Sequence, residues 1–95
     1  MSALRGSPYR LLLEPVAEKE LERLSKADKL RLEMALLALS ETGSGDTKKL
    51  EGSDAAFRLK VGSMRAEFWI SEKTIGVYRI FYRQAGYGKK SRARP

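Results

Sequence analysis

Residues 57–70, "FRLKVGSMRAEFWI", constrain the fold most, because two short runs with strand periodicity flank a single Gly-Ser step. Apolar and polar residues alternate in both runs, which is the pattern of a half-buried strand. A glycine in the first position of a two-residue loop is typical of a β-hairpin turn. A third run, "TIGVYRIFYR" at 74–83, is rich in β-branched and aromatic residues. The second half of the chain therefore predicts antiparallel strands.

The residues before this hairpin predict a strand followed by a helix. "YRLLLEP" at 9–15 predicts a short strand, and Pro15 is suited to the first position of a helix. Apolar residues then recur at helical spacings of four and three, at Ala17, Leu21 and Leu24.

A second helix is predicted to start at Ser25, because Ser25 and Asp28 resemble a capping box. "TGSGD" at 42–46 ends this helix and supplies a flexible turn. One apolar stripe is expected to consist of Ala27, Leu30, Met34 and Leu37, widened by Leu32, Leu36 and Leu39. Two helices joined at Ser25 form a hairpin, and a single kinked helix is the alternative.

Together these elements predict an α+β fold in which a small antiparallel sheet packs on an N-terminal two-helix hairpin, in the order β-α-α-β-β-β. With 95 residues the chain is long enough for one core, so we expect one domain over 1–88 and a basic, disordered tail over 89–95. No apolar stretch approaches the length of a signal-peptide core or a membrane span, which predicts a soluble cytoplasmic protein.

Composition excludes several kinds of chemistry. The sequence contains no Cys and no His, which removes thiol catalysis, disulfides, Cys/His zinc sites and imidazole acid–base catalysis. The formal net charge is +7, and it is uneven: residues 1–47 contain 7 Lys/Arg and 8 Asp/Glu, whereas residues 48–95 contain 12 and 4. A basic excess confined to the predicted sheet indicates an anionic partner.

The strand period places the cations of the hairpin. Arg58 and Lys60 share one face of their strand, and Arg65 and Glu67 share one face of the next. In a tight antiparallel hairpin these two sets lie on the same side of the sheet, opposite the helices. Such a surface can bind phosphates, although alternating charge is also what the solvated side of any strand shows. On the third strand, alternation groups four residues on one side, Val77, Arg79, Phe81 and Arg83.

The run from residue 48 to residue 87 resembles the core of the RelE/ParE toxin superfamily, and the predicted order of elements matches from residue 9. The resemblance rests on a Leu-x-Gly, an aromatic with two basic residues on a strand, an arginine that opens the next strand, and a last strand that ends with an arginine and a tyrosine. The matching residues are Leu50, Gly52, Phe57, Arg58, Lys60, Arg65, Arg79, Arg83 and Tyr87. For RelE-like members the resemblance implies a toxin that cleaves messenger RNA in the ribosomal decoding site.

The resemblance also implies catalytic roles that suit a chain without histidine. Lys60 is the expected base for the 2′-hydroxyl, since neighbouring cations favour the neutral form of an amine. Arg65 would stabilise the charge on the phosphorane, and Arg83 would support the 5′ leaving oxygen. Tyr87 would stack on a base or orient the scissile phosphate. The implied product is a 2′,3′-cyclic phosphate, and no metal or cofactor is required.

Further residues are candidates for RNA binding. These are Lys49, Arg58, Arg79, Lys89 and Lys90, the last two in a tail that either contacts phosphates or only increases solubility. Glu67 is either a second base or the partner of a salt bridge to Arg65 or Arg58. Trp69 is either a stacking platform or part of the packing.

Three functions remain open at this point. The first is a ribosome-dependent, metal-independent endoribonuclease held inactive by a cognate antitoxin, which would lay an acidic or amphipathic segment across the helices and the basic sheet. The second is a ParE-like inhibitor of DNA gyrase, which cleaves nothing. The third is a catalytically inactive basic module that binds nucleic acid.

Overall fold

The computed structural model describes residues 2–4 and 6–83. Within them the chain forms helices and strands in the following order: β1 (Ser2–Ala3), β2 (Arg10–Leu13), α1 (Pro15–Glu22), α2 (Lys26–Thr42), β3 (Ser44–Lys49), β4 (Ala56–Val61), β5 (Met64–Ser71) and β6 (Thr74–Tyr82). The strands form one sheet in the order β1-β3-β4-β5-β6-β2, with both helices on one of its faces. The predicted α+β fold and its β-α-α-β-β-β order are confirmed, with β1 and β3 as additional strands.

The sheet is antiparallel except at one edge. β2 runs parallel to β6, with Leu11 opposite Ile75 and Leu13 opposite Val77. Parallel strands need a long connection, and here both helices and the strands β3, β4 and β5 lie between β2 and β6 in the chain.

The strand β3 corrects the prediction of a flexible turn after the second helix. Gly43 does end α2, with a left-handed backbone at φ 78° and its N–H bonded to the carbonyl of Leu39. The next residues are extended, however, and residues 46–49 pair with β4. Pairing with a neighbouring strand stabilises this backbone although Gly, Ser and Asp have a low strand propensity.

The strands β4, β5 and β6 form an antiparallel meander, and both of its turns are tight. Val61 pairs with Met64 across the two-residue turn, and Gly62 adopts φ 61°, which confirms the predicted hairpin. The next turn has φ 47° at Glu72 and 63° at Lys73. Two consecutive left-handed residues are the geometry of a type I′ turn, whose twist matches that of the strands it joins.

A β-bulge changes the alternation predicted for the third strand of the meander. Glu67 pairs with Arg79, whereas Phe68 pairs with Val77, so Tyr78 is an extra residue on β6. Val77 therefore lies in the core and not on the side of Arg79, so the side predicted for Val77 is wrong. The bulge shifts the register by one residue, which moves each later side chain to the opposite face.

The core lies between the helices and one face of the sheet. The alternating apolar residues of β4 and β5 face the helices as predicted, and Phe57 stacks on Phe68 with ring centroids 5.6 Å apart. The fully buried side chains include Leu32, Leu36, Leu39, Leu59, Met64, Phe68, Ile75 and Val77.

The helix pair is confirmed, because α1 ends at Glu22 and α2 begins after Ser25, whose hydroxyl accepts from the N–H of Asp28. Neither helix within the described residues is long and apolar enough to cross a membrane.

Helix α2 is apolar on two opposite sides. Leu32, Leu36 and Leu39 pack against the sheet. The stripe that the sequence favoured is on the other side: Leu30, Met34 and Leu37 are 59%, 63% and 50% exposed. At about 100° per residue the two stripes lie roughly 180° apart, so periodicity alone does not decide which of them is buried.

Candidate functional site

The sheet face opposite the helices, here called the outer face, carries two rows of side chains that cross four strands. Register places Lys48, Arg58, Glu67 and Arg79 in one row, on β3, β4, β5 and β6. It places Asp46, Lys60, Arg65 and Phe81 in the next. Side chains directly opposite each other on neighbouring strands project to the same face, so each row is a line of close neighbours.

The arginines of the first row are paired with carboxylates. Arg58 donates through Nε and Nη2 to one oxygen of Glu67, at 3.1 and 2.6 Å. Arg79 donates through Nε to Glu20 of α1 at 3.0 Å, and the other oxygen of Glu20 accepts from the N–H of Ile80. Both guanidinium groups also lie within 6 Å of the Phe81 ring centroid, a cation–π geometry. Arg58 and Arg79 are therefore held by the protein itself.

Three other cations, Lys60, Arg65 and Arg83, lie together at the Gly62–Ser63 end of the outer face, and we call them the cationic cluster. Lys60 is directly opposite Arg65. Arg83 lies beside them because its N–H bonds to the carbonyl of Ser63 at 2.6 Å. Within residues 2–4 and 6–83, none of the three forms an ion pair.

Arg65 is restrained by the turn. Its Nη1 donates to the carbonyls of Gly62 and Met64, at 2.8 Å each. These bonds use one nitrogen of a five-donor group, so Nε and Nη2 remain available to an anion. A guanidinium fixed in this way is preorganised for a phosphate oxygen.

The arrangement of Lys60 is electrostatically costly. Like charges directly opposite each other destabilise a sheet by a few tenths of a kcal/mol up to about 1. Asp46 lies on the other side of Lys60 in the register but forms no ion pair with it. Folding alone does not favour such a cluster, whereas binding an anion would.

The structure places some of the predicted residues elsewhere. Lys49 pairs with Phe57 and so lies on the helix side of the sheet, while Lys48 occupies the position beside Arg58. Tyr87, Lys89 and Lys90 lie outside the described residues. Glu67 forms the predicted salt bridge with Arg58.

Sequence reasoning missed Arg31, which helix α2 brings against the turn. A Cβ placed on Gly62 would lie 2.8 Å from Nη1 of Arg31. Arg31 therefore adds a cation from the helix side next to the cationic cluster. Its position in the middle of a helix, far along the chain from the hairpin, gave no signal, and only the packing of α2 on the sheet reveals it.

Two tyrosines near this surface have raised pKa values. Burial raises the pKa of Tyr78, and the charge of Glu67 adds to the effect. The hydrogen bond from the Tyr82 hydroxyl to Asp28 raises the pKa of Tyr82 and ties the end of β6 to the start of α2. Both residues therefore stay neutral at physiological pH, and neither supplies a base.

Among known structures, the chain is similar to RelE-type toxins. It matches a chain of the RelE–RelB complex from Pyrococcus horikoshii with 24% identity and a TM-score of 0.69, over 81% of this chain and 97% of that one. It matches a chain of a RelB–RelE toxin–antitoxin complex from Mycobacterium tuberculosis with 21% identity and a TM-score of 0.70, over 86% and 98%. The YoeB dimer from Staphylococcus aureus matches with 13% identity and a TM-score of 0.66, over 82% and 100%.

No protein-family model and no curated protein sequence matches the chain. The structural matches cover most of both partners in each comparison, and the chain therefore has the fold of the RelE toxins.

Proposed function

We propose that this protein is the toxin of a toxin–antitoxin pair and that it cleaves messenger RNA on the ribosome, in the cytoplasm. The shared fold supports a toxin, but one fold can carry several activities. The observation that carries the proposal is the cationic cluster, in which Lys60, Arg65 and Arg83 have no carboxylate partner among the described residues. The adjacent arginines of the same face are paired with Glu67 and Glu20.

The proposed reaction is attack of a 2′-hydroxyl on the neighbouring phosphate. Lys60, in its neutral form, takes the proton of the hydroxyl as the new O–P bond forms. Arg65 stabilises the negative charge on the phosphorane oxygens, and a single contact of this kind contributes about 10²–10³-fold to a rate. Arg83 supports the 5′ oxygen as its bond to phosphorus breaks. This oxygen takes a proton from water, and Lys60 afterwards returns the proton of the 2′-hydroxyl to the solvent. The products are a 2′,3′-cyclic phosphate and a 5′-hydroxyl, with no oxidant or metal involved.

The rest of the outer face would bind the message. Arg58 and Arg79 flank Phe81, and Lys48 continues the row to β3. Contacts of cations with phosphates give affinity that falls with salt concentration. Tyr87, which the resemblance assigns to base stacking, and the tail residues Lys89 and Lys90 remain part of this proposal.

The antitoxin would cover the helices as well as the sheet. The exposed stripe of Leu30, Met34 and Leu37 is an apolar helix face without a partner among the described residues. Beside Leu37, a groove between the helices is rimmed by Glu18, Glu22 and Glu33 and has leucines at its floor. An amphipathic helix with apolar residues and a few cations fits this groove, while the part of the partner that covers the basic outer face would be acidic.

A programmed translation reaction tests the nuclease. Purified protein is added to ribosomes translating a defined message, and the ends of the message are mapped. We expect cleavage by the parent protein, and we expect Arg65→Ala and Arg83→Ala each to lower the rate by about 10²-fold or more. Arg23→Ala, which removes an arginine from the exposed end of α1, is the matched control and should cleave like the parent.

Intact message at saturating protein would remove the nuclease proposal. A DNA gyrase supercoiling assay would then test the ParE-like alternative. Normal cleavage by both arginine variants would instead show that the active site lies elsewhere on the chain.

A further inference from the structure

We propose that Trp69 forms a nucleobase-stacking subsite at the far end of the outer face, for the single-stranded RNA that the cationic cluster cleaves. The inference rests on the proposed function. It adds a binding residue that the resemblance to RelE-like toxins does not supply.

Trp69 lies on the outer face, in the third cross-strand row. Register places it between Ala56 of β4 and Gly76 of β6, and Leu12 of β2 is opposite Gly76. Trp69 is on the same face as Glu67 and Arg65, which precede it by two and four residues on β5. The same strand thus carries both the indole and Arg65, one of the three members of the cluster.

The indole is held in one orientation. A Cβ on Gly76 would lie 2.0 Å from the Trp69 ring, so only glycine allows the ring to lie across β6 at this point. The indole N–H donates to Glu14 at 2.6 Å, which satisfies the single polar atom of the ring. A ring fixed by its neighbours loses little conformational entropy on binding, which favours its use as a stacking platform.

The ring borders a pocket of ≈ 490 Å³ that lies between β2 and the turn from β5 to β6. Its other lining residues include Arg10, Leu12 and the carboxylate of Glu72, all three exposed. Arg10 forms no ion pair with any described residue. An aromatic face beside an unpaired arginine is the pairing that single-stranded nucleic-acid sites use for a base and its phosphate.

The separation from the cluster fits an extended strand of RNA. Trp69 lies four positions after Arg65 on β5, which is about 13 Å at the usual rise of a strand. That distance is longer than a single nucleotide step. The row of Arg58 and Arg79 lies between the two sites and would accompany the phosphates that join them.

Intrinsic fluorescence provides a direct test, because Trp69 is the only tryptophan of the chain. Hexaadenylate is titrated into the parent protein without ribosomes, and binding is followed independently by the anisotropy of a fluorescein-labelled hexamer. We expect the hexamer to quench the tryptophan as it binds. Diadenylate is too short to reach both the Trp69 subsite and the cationic cluster, so it should bind more weakly than the hexamer by at least tenfold.

Variants separate stacking from packing. Trp69→Leu should weaken binding of the hexamer on the order of tenfold, the range for loss of one stacked base, while Trp69→Phe should keep most of the affinity. Gly76→Ala retains the tryptophan but displaces its ring, so it should reduce the quenching. Arg10→Ala should lower the slope of log affinity against log salt by about 0.7. Circular dichroism confirms that each variant folds, and Arg23→Ala is the control for a lost cation.

The outcomes distinguish this inference from the proposed function. Binding of the hexamer without quenching, or with equal affinity in Trp69→Leu, overturns the subsite and leaves the nuclease proposal untouched. Failure of the hexamer to bind at all also overturns the subsite, and the ribosome assay then judges the nuclease separately. Quenching by a partner protein but not by RNA would assign the pocket to the partner and overturn the inference as well.

Discussion

Replacing Glu67 by glutamine tests whether this carboxylate is a base or a support for Arg58. Glu67 is the carboxylate of the outer face closest in sequence to the cationic cluster, and both roles are chemically reasonable. Its side chain is only 16% exposed, and a single oxygen accepts both hydrogen bonds from Arg58. Glutamine keeps the volume and an acceptor oxygen but removes the charge, so it changes the ion pair with little change in packing.

The structure sets the expected magnitudes. A hydrogen bond to a charged group contributes about 1.5–3 kcal/mol, whereas an exposed ion pair contributes about 0.2–1 kcal/mol. Arg58 is 41% exposed, so solvent screens the pair and we expect a coupling energy of about 1 kcal/mol. If Glu67 only orients Arg58, its replacement should lower the cleavage rate by less than about tenfold, whereas loss of a general base lowers the rate by about 10²–10⁴-fold.

A double-mutant cycle separates these roles. The four proteins are the parent, Glu67→Gln, Arg58→Met and the double variant, compared by urea unfolding and by cleavage in the translation reaction. We expect the effect of Glu67→Gln on cleavage to disappear in the Arg58→Met background. A loss of 10²-fold or more that is the same in both backgrounds would refute this reasoning and make Glu67 the base.

Three further predictions address other parts of the molecule. Tyr82→Phe should reduce the loss of stability at high pH, measured as melting temperature against pH. The hydrogen bond to Asp28 raises the pKa of Tyr82, so the stability that this bond contributes is complete below about pH 10 and is lost as pH rises through the raised pKa. An unchanged profile of melting temperature against pH would contradict this. Gly62→Ala should destabilise the fold by about 1–2 kcal/mol because the backbone of Gly62 is left-handed. The loss should exceed that of Gly52→Ala, because Gly52 has a similar φ but open space around it. Equal losses of stability in urea unfolding would show that the Arg31 guanidinium moves away from the turn without cost. Met34→Lys should abolish neutralisation by the proposed cognate antitoxin while cleavage persists, because it places a charge on the exposed stripe. Retained neutralisation would exclude this stripe from the interface.

The parts of the fold that were predicted correctly depend on short-range chemistry. The Gly62–Ser63 turn follows from glycine in a left-handed position, and the start of α2 follows from the Ser25 hydroxyl and the N–H of Asp28. The outward position of Arg58, Lys60 and Arg65 follows from the strand period alone.

The parts that were missed depend on contacts between distant segments. Residues 44–49 have a loop-like composition and become extended only because β4 pairs with them. The bulge at Tyr78 has no local signal, yet it places Val77 in the core. For the same reason Lys48, and not Lys49, joins the outer face, since the register of β3 on β4 decides which of two adjacent lysines points outward.

The most direct test of the proposed chemistry is a message that lacks one oxygen. After the cleavage position has been mapped, a message with a single 2′-deoxynucleotide on the 5′ side of the scissile phosphate is translated in the presence of the protein. Attack by the 2′-hydroxyl predicts that cleavage at this position stops, and that the unmodified message yields a 2′,3′-cyclic phosphate upstream and a 5′-hydroxyl downstream. Cleavage of the deoxy-substituted message at the same position would contradict the mechanism assigned to Lys60, Arg65 and Arg83.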